Sequence, residues 1–191
     1  MNLRPLVVTG PIGSGKSTVS KLLEDFGAHR VDLDQLSREV LETDEGIRFV
    51  ADNWPSAVAG PMVDRTALAR IVFRHPRELR RLEEFVHPRV LAALDLRVGI
   101  EPHLVVEVSV PFSISIADSL VIVVDSSVST RVARLLERGM SADDVDARLQ
   151  AQPPRDAWLE ISDVVISNSS AETELPRPVA AFWTWWIETE L

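Results

Sequence analysis

The sequence predicts an α/β fold: a mainly parallel sheet of five strands with helices on both faces. Three observations carry this. Short, valine-rich apolar runs recur along the chain, too short for good helices and apolar throughout, as strands buried on both faces are. Stretches with an apolar residue every three or four positions alternate with them. Glycine, proline and serine fall at the junctions.

The elements follow in order. Leu6 to Val8 is the first strand, running into a glycine-rich turn. Ser17 to Phe26 is a helix with Val19, Leu22, Leu23 and Phe26 at helical spacing, and Gly27 stops it. His29 to Asp32 is a second strand whose end carries Asp32 and Asp34. From Arg65 to about Val98 the apolar positions Leu68, Ile71, Val72, Leu79, Leu82, Phe85, Val86, Val90, Leu91 and Leu94 mark a helical lobe. Pro76 and Pro88 should break or kink it into at least two helices, because proline lacks a backbone donor and clashes with the preceding turn. Leu104 to Val110 and Leu120 to Val124 are buried strands. Ser127 to Arg138 and Ser141 to Gln150 are consecutive helices, separated by Gly139 and opened by capping serines. Asp163 to Ser167 is the fifth strand. At the end, Phe182, Trp185 and Trp186 should share one face of a helix packed on the core, in preference to a dimer contact.

A chain of 191 residues, 46% of them hydrophobic, can build one globular domain with one sizeable core. It has no cysteine, which excludes disulfides and thiolate metal sites. The formal net charge of -9 disfavours general affinity for nucleic acid or anionic membrane, although arginines cluster at Arg77, Arg80 and Arg81 and again at Arg131, Arg134 and Arg138. No stretch approaches the roughly 18 apolar residues of a membrane span, and the start lacks a signal-peptide pattern, so the cytoplasm is the expected compartment.

The chemistry begins at Gly10-Pro11-Ile12-Gly13-Ser14-Gly15-Lys16-Ser17, which fits G-x-x-x-x-G-K-[ST] between a predicted strand and a predicted helix. Such a loop turns its amides toward phosphate oxygens. Gly13, Ser14 and Gly15 form the cradle, Lys16 reaches the β and γ phosphates, Ser17 binds Mg²⁺ and Thr18 meets the α phosphate. The expected ligands are ATP and Mg²⁺. Asp32 and Asp34 lie at the carboxyl edge of a parallel sheet, where ligands of such folds bind. If the strand continues through both, period two puts them on one side, one to take a proton from an attacking hydroxyl and the other to orient a neighbour. The competing reading makes Asp34 a cap for a helix over Leu36 to Leu41.

Together these residues resemble the dephospho-coenzyme A kinase family. Thr9 to Thr18 is similar to its phosphate loop, and Val31-Asp32-Leu33-Asp34 with Ser37-Arg38-Glu39-Val40 is similar to its V-D-x-D-x-x-[AS]-R-x-V segment. Asp64-Arg65-x-x-Leu68 with Val72-Phe73, and Val86-His87-Pro88, resemble its acceptor-side lobe. Arg131 to Arg138, Ala147-Arg148 with Gln152, and Ser162-Asp163-x-Val-Ile166-x-Asn168 continue the likeness. The resemblance implies a three-layer P-loop kinase fold with an acceptor lobe at about 45–100 and a small lid at about 138–158. It implies transfer of the ATP γ-phosphoryl group to the 3′-hydroxyl of dephospho-coenzyme A, with Asp34 as general base and Arg138 and Arg148 on the lid. Asp32, Asp34, His87 and Pro111 would face the acceptor. The expected partner is that small molecule, with no nucleic acid and no membrane, on a monomer or weak homo-oligomer. The lack of other histidines at ligand spacing argues against a metal site at His87.

The chain departs from the pattern where the family carries D-x-P-L-L-x-E. Here Ser109-Val110-Pro111-Phe112-Ser113-Ile114-Ser115 replaces both carboxylates by serine. Glu107, two residues earlier and on the same strand face, is the candidate substitute in the magnesium shell, acting indirectly. Between Gln152 and Asp163, Trp158 and Glu160 stand where the family tends to be basic, with Arg155 as partial compensation. Two other readings stay open at this level: another small-molecule kinase of the same fold, or a diverged nucleotide-binding protein.

Overall fold

The computed structural model describes residues 4–98, 100–109, 116–169 and 174–190. They divide into two compact units, Met1–Asp32 with Val98–Leu191, and Leu33–Arg97.

The first unit holds the sheet. Its strands are β1 (Leu6–Thr9), β2 (His29–Asp32), β5 (Leu104–Glu107), β6 (Leu120–Asp125) and β7 (Val164–Ser167), in the order β2-β5-β1-β6-β7. Every neighbouring pair is parallel. All five carboxyl ends therefore lie along one edge. Leu6 and Val8 of β1, Val105 of β5, and Leu120, Ile122 and Val124 of β6 point to one face. There they meet Val19 and Leu23 of helix α1 (Lys16–Asp25) and Val179, Phe182 and Trp186 of the last helix, α9 (Pro176–Glu190). Val7, Val106 and Val123, on the alternate side of the pleat, are buried too. Apolar burial on both faces is why these strands read as continuous valine runs.

The chain returns from β6 to β7 through α6 (Val128–Glu137), α7 (Ala142–Gln150) and α8 (Arg155–Glu160). Ser127 and Ser141 cap the first two: each side chain accepts an amide of the first turn, from Thr130 and Asp144 respectively.

The second unit contains α2 (Leu33–Glu42), α3 (Asp44–Asn53), a short hairpin of β3 (Val58–Ala59) and β4 (Met62–Val63), α4 (Arg65–Val72) and α5 (Pro76–Val98). Asp64 caps α4 by accepting from the amides of Thr66 and Ala67. Phe49 stacks on Phe85 at 3.9 Å between ring centroids, and Arg89 covers the Phe85 ring while paired with Glu45.

Two expectations need correction, and a third is met. Strand β2 ends at Asp32 and α2 begins at Leu33, so Asp32 and Asp34 do not share a strand face. The lobe divides into two helices as expected: α4 ends at Val72 and Pro76 opens α5, where a missing amide costs nothing, while Pro88 lies inside α5 without ending it. The buried face of α9 is Val179, Phe182 and Trp186, with Trp183 partly buried, whereas Trp185 is 48% exposed. Positions 182 and 185 are three apart, and at the edge of a buried stripe that offset is enough to turn a side chain outward.

Trp186 is fully buried and packs with His103 and Trp183, with ring centroids at 5.6 and 5.2 Å. Trp186→Ala should lower stability by about 3–5 kcal/mol, the range for deleting a large buried aromatic. Denaturant unfolding read as a midpoint shift at constant slope checks this.

Candidate active site

The phosphate loop joins β1 to α1 across the carboxyl edge of the sheet. Gly13 and Gly15 adopt φ of 77° and 99°, a region that side-chain-bearing residues rarely enter. A Cβ at Gly15 would also collide with the Asn168 side-chain amide. Glycine is therefore required there by both backbone and neighbour. Gly15 precedes the first turn of α1 without a side-chain cap, and the amides of Gly13 and Ser17 have no acceptor among the described residues. Left uncapped, the loop and helix end present amide hydrogens and positive potential together, which fits a chain of phosphates.

Several contacts hold this loop in shape. The Lys16 ammonium donates to the carbonyls of Gly10 at 3.0 Å and Pro11 at 3.4 Å. The Ser14 amide donates to the Pro11 carbonyl at 3.1 Å. From just beyond β7, Asn168 donates its side-chain amide to the Ser14 carbonyl at 2.7 Å. Arg134 donates to the same carbonyl at 3.3 Å and to the Asn168 side-chain oxygen at 3.2 Å. The Gln152 side-chain oxygen accepts from the Ile12 amide at 2.8 Å. The Ser14 hydroxyl is buried and has no hydrogen-bond partner among the described residues.

A second group of polar side chains gathers around Glu107, the last residue of β5 and directly opposite Asp32 in the register. The Ser17 hydroxyl donates to Glu107 Oε1 at 2.6 Å. Arg30 donates to Glu107 Oε2 from Nε at 3.2 Å and Nη2 at 2.6 Å. The hydrogen bond to Glu107 raises the Arg30 pKa above its already high ordinary value, against a lesser opposing effect of burial. This is an oxygen-rich corner: a hydroxyl beside a buried carboxylate suits a hard divalent cation such as Mg²⁺, which takes few protein ligands and keeps its remaining ones for water and phosphate.

Beyond the loop lies a cavity of about 470 Å³, lined by Pro11, Asp125, Arg131, Gln152, Arg155 and Trp158 among others. Arg155 grips Asp125 at the end of β6 with bonds of 2.7–3.2 Å, and that hydrogen bonding raises its pKa. Rather than serving as a loose cation, Arg155 is committed to a strand-end carboxylate. Burial lowers the pKa of Arg131.

The other expected site residues are placed as follows. Thr18 is exposed on α1, next to Ser17. Asp32 is half-buried, with its carboxylate 4.0 Å from Arg30. Asp34 lies in the first turn of α2, where a negative charge suits the helix end. His87 is half-buried on α5. Arg138 closes α6 and Arg148 lies in the last turn of α7, both exposed. Pro111 lies outside the described residues. Sequence reasoning missed Arg30 entirely, and it noted Asn168, Arg134 and Gln152 without assigning them a task. Only position pointed to them: Asn168 immediately follows a strand at the ligand edge.

Comparison with known proteins places the chain in a family. The sequence profile of the dephospho-CoA kinase family matches residues 5–174. A dephospho-CoA kinase of Streptomyces avermitilis is 37% identical over 185 residues, covering 92% of this chain and 90% of that one. A solved structure from Thermus thermophilus, 32% identical, covers 97% of this chain and 98% of its own with a TM-score of 0.85. A Campylobacter jejuni dephospho-CoA kinase structure shares the fold at 22% identity and a TM-score of 0.74, covering 98% of each chain. A phosphate loop on a parallel sheet, matched along nearly the whole chain, thus leads to one assignment: the protein belongs to the dephospho-CoA kinase family.

Proposed function

We propose that the protein transfers the γ-phosphoryl group of ATP to the 3′-hydroxyl of dephospho-coenzyme A, releasing coenzyme A and ADP in the last step of coenzyme A synthesis. The observation that carries this reading is the phosphate loop from Gly10 to Ser17, uncapped at the start of α1 and pinned by Asn168 and Arg134.

In this reading the loop amides and the Lys16 ammonium hold the β and γ phosphates and stabilise charge on the transferring oxygens. Ser17 would hold Mg²⁺ directly and Glu107 indirectly. Bound there, Mg²⁺ supplies neutralisation of the phosphate charge. Asp34 accepts the proton of the attacking hydroxyl as the new P–O bond forms and the bond to ADP breaks. By the family resemblance, Asp32, His87 and Pro111 are the residues assigned to acceptor binding. Arg138 and Arg148, both exposed and both within the lid region at about 138–158, would close over the phosphates. A domain with an acceptor lobe at about 45–100 completes the arrangement.

We place it in the cytoplasm as a monomer or weak homo-oligomer without nucleic-acid or membrane partners. The net charge of -9 disfavours nucleic-acid and anionic-membrane partners, and no described helix is long and apolar enough to cross a membrane.

Coupled ADP release with dephospho-coenzyme A, set against shikimate, gluconate and nucleosides, tests the assignment. Turnover with dephospho-coenzyme A at least about a hundredfold above the others is expected, because a site built around a particular acceptor rejects those lacking its contacts by such factors. Binding of ATP with no ADP formed from any acceptor would defeat it.

A further inference from the structure

Glu107 is 7% exposed at the end of a strand whose other residues are all apolar. A carboxylate in such a place needs a counter-charge and filled hydrogen bonds. Arg30 provides them. It lies on β2 opposite Val105, one pleat back from Glu107 and on the same face, within reach of a diagonal contact. Its two donors both fall on Oε2, which leaves Oε1 to the Ser17 hydroxyl at 2.6 Å. The same guanidinium is 4.0 Å from Asp32, directly across from Glu107, and so stands between two acidic side chains.

A hydroxyl that donates its proton to a fixed carboxylate turns its lone pairs the other way. We propose that Arg30 is a positioning residue for the metal side of the nucleotide site. By locking Glu107, it fixes the direction in which Ser17 offers its oxygen to Mg²⁺. Glu107 then acts through Ser17 rather than as a ligand, and Arg30 acts through Glu107. This rests on the reading of Ser17 as a magnesium ligand. Glu107, two residues before Ser109 and held by Arg30, also supplies the carboxylate that Ser109 lacks.

The test is ADP binding to the purified full chain by calorimetry, with Mg²⁺ and with EDTA. The wild type should bind ADP more tightly with Mg²⁺. In Arg30→Met that gain should fall about tenfold, the lower end for losing a group that orients a metal ligand, while affinity in EDTA stays within about twofold. Arg30→Lys should recover part of it, since lysine returns the charge without the paired donors. Turnover by Arg30→Met should recover at high Mg²⁺, shifting the magnesium requirement more than kcat. Glu107→Gln and the Arg30→Met/Glu107→Gln double variant should lose equal shares of the gain, and this comparison carries the test should Arg30→Met alone not fold. A gain kept in Arg30→Met, or a double variant clearly worse than Glu107→Gln, overturns the proposal alone. No magnesium-dependent gain in the wild type overturns the Ser17 reading and the proposal with it.

Discussion

Lys16→Met is expected to lower kcat by about a hundredfold to a thousandfold, the cost of removing one preorganised charge from a transferring phosphoryl group. Lys16 points back along the loop, on the carbonyls of Gly10 and Pro11, and in the proposed reading its ammonium serves the β and γ phosphates. Methionine keeps the length of the stem and loses the cation. The loop should keep its form, because Asn168, Arg134 and Gln152 hold it independently of Lys16. Stopped assays of ADP formation with saturating substrates read the effect, and a loss below about tenfold would remove Lys16 from the transition state.

Asp34→Asn should cost about a hundredfold or more in kcat with ATP affinity unchanged, the usual scale for a positioned base. The structure sharpens this test. Asp34 sits in the first turn of α2, where its charge also suits the helix end, an effect of about 0.3–1 kcal/mol on stability. The two roles separate cleanly: a helix-end charge moves the unfolding midpoint and leaves turnover nearly intact, whereas a base does the reverse. Loss of stability with less than a tenfold loss of rate would assign Asp34 to the helix alone.

Much of the architecture was legible from residue order. The buried strands announced themselves as short valine runs, because a strand covered on both faces has no polar side to show. The helices after Ser127 and Ser141 were found at their caps, since a serine oxygen meets orphan amides by local geometry alone. Pro76 marked the start of a second helix, because proline suits a first turn, while α5 runs on through Pro88. Trp185 misled, since spacing gives a face but not the width of what covers it. At the site, the glycine spacing and Lys16 were visible as a motif. Arg30 was not: it lies 77 positions from Glu107 and meets it only because β2 pairs with β5.

By itself, the sequence determined the phosphate loop, the strands beneath it and the family resemblance, because each depends on contacts within a turn or on the burial of a short run. Only the tertiary structure decided what holds that loop and what faces Ser17. Asn168, Arg134, Gln152, Arg30 and Glu107 reach the site from separate elements, and their meeting is set by strand order and register, which no local pattern encodes.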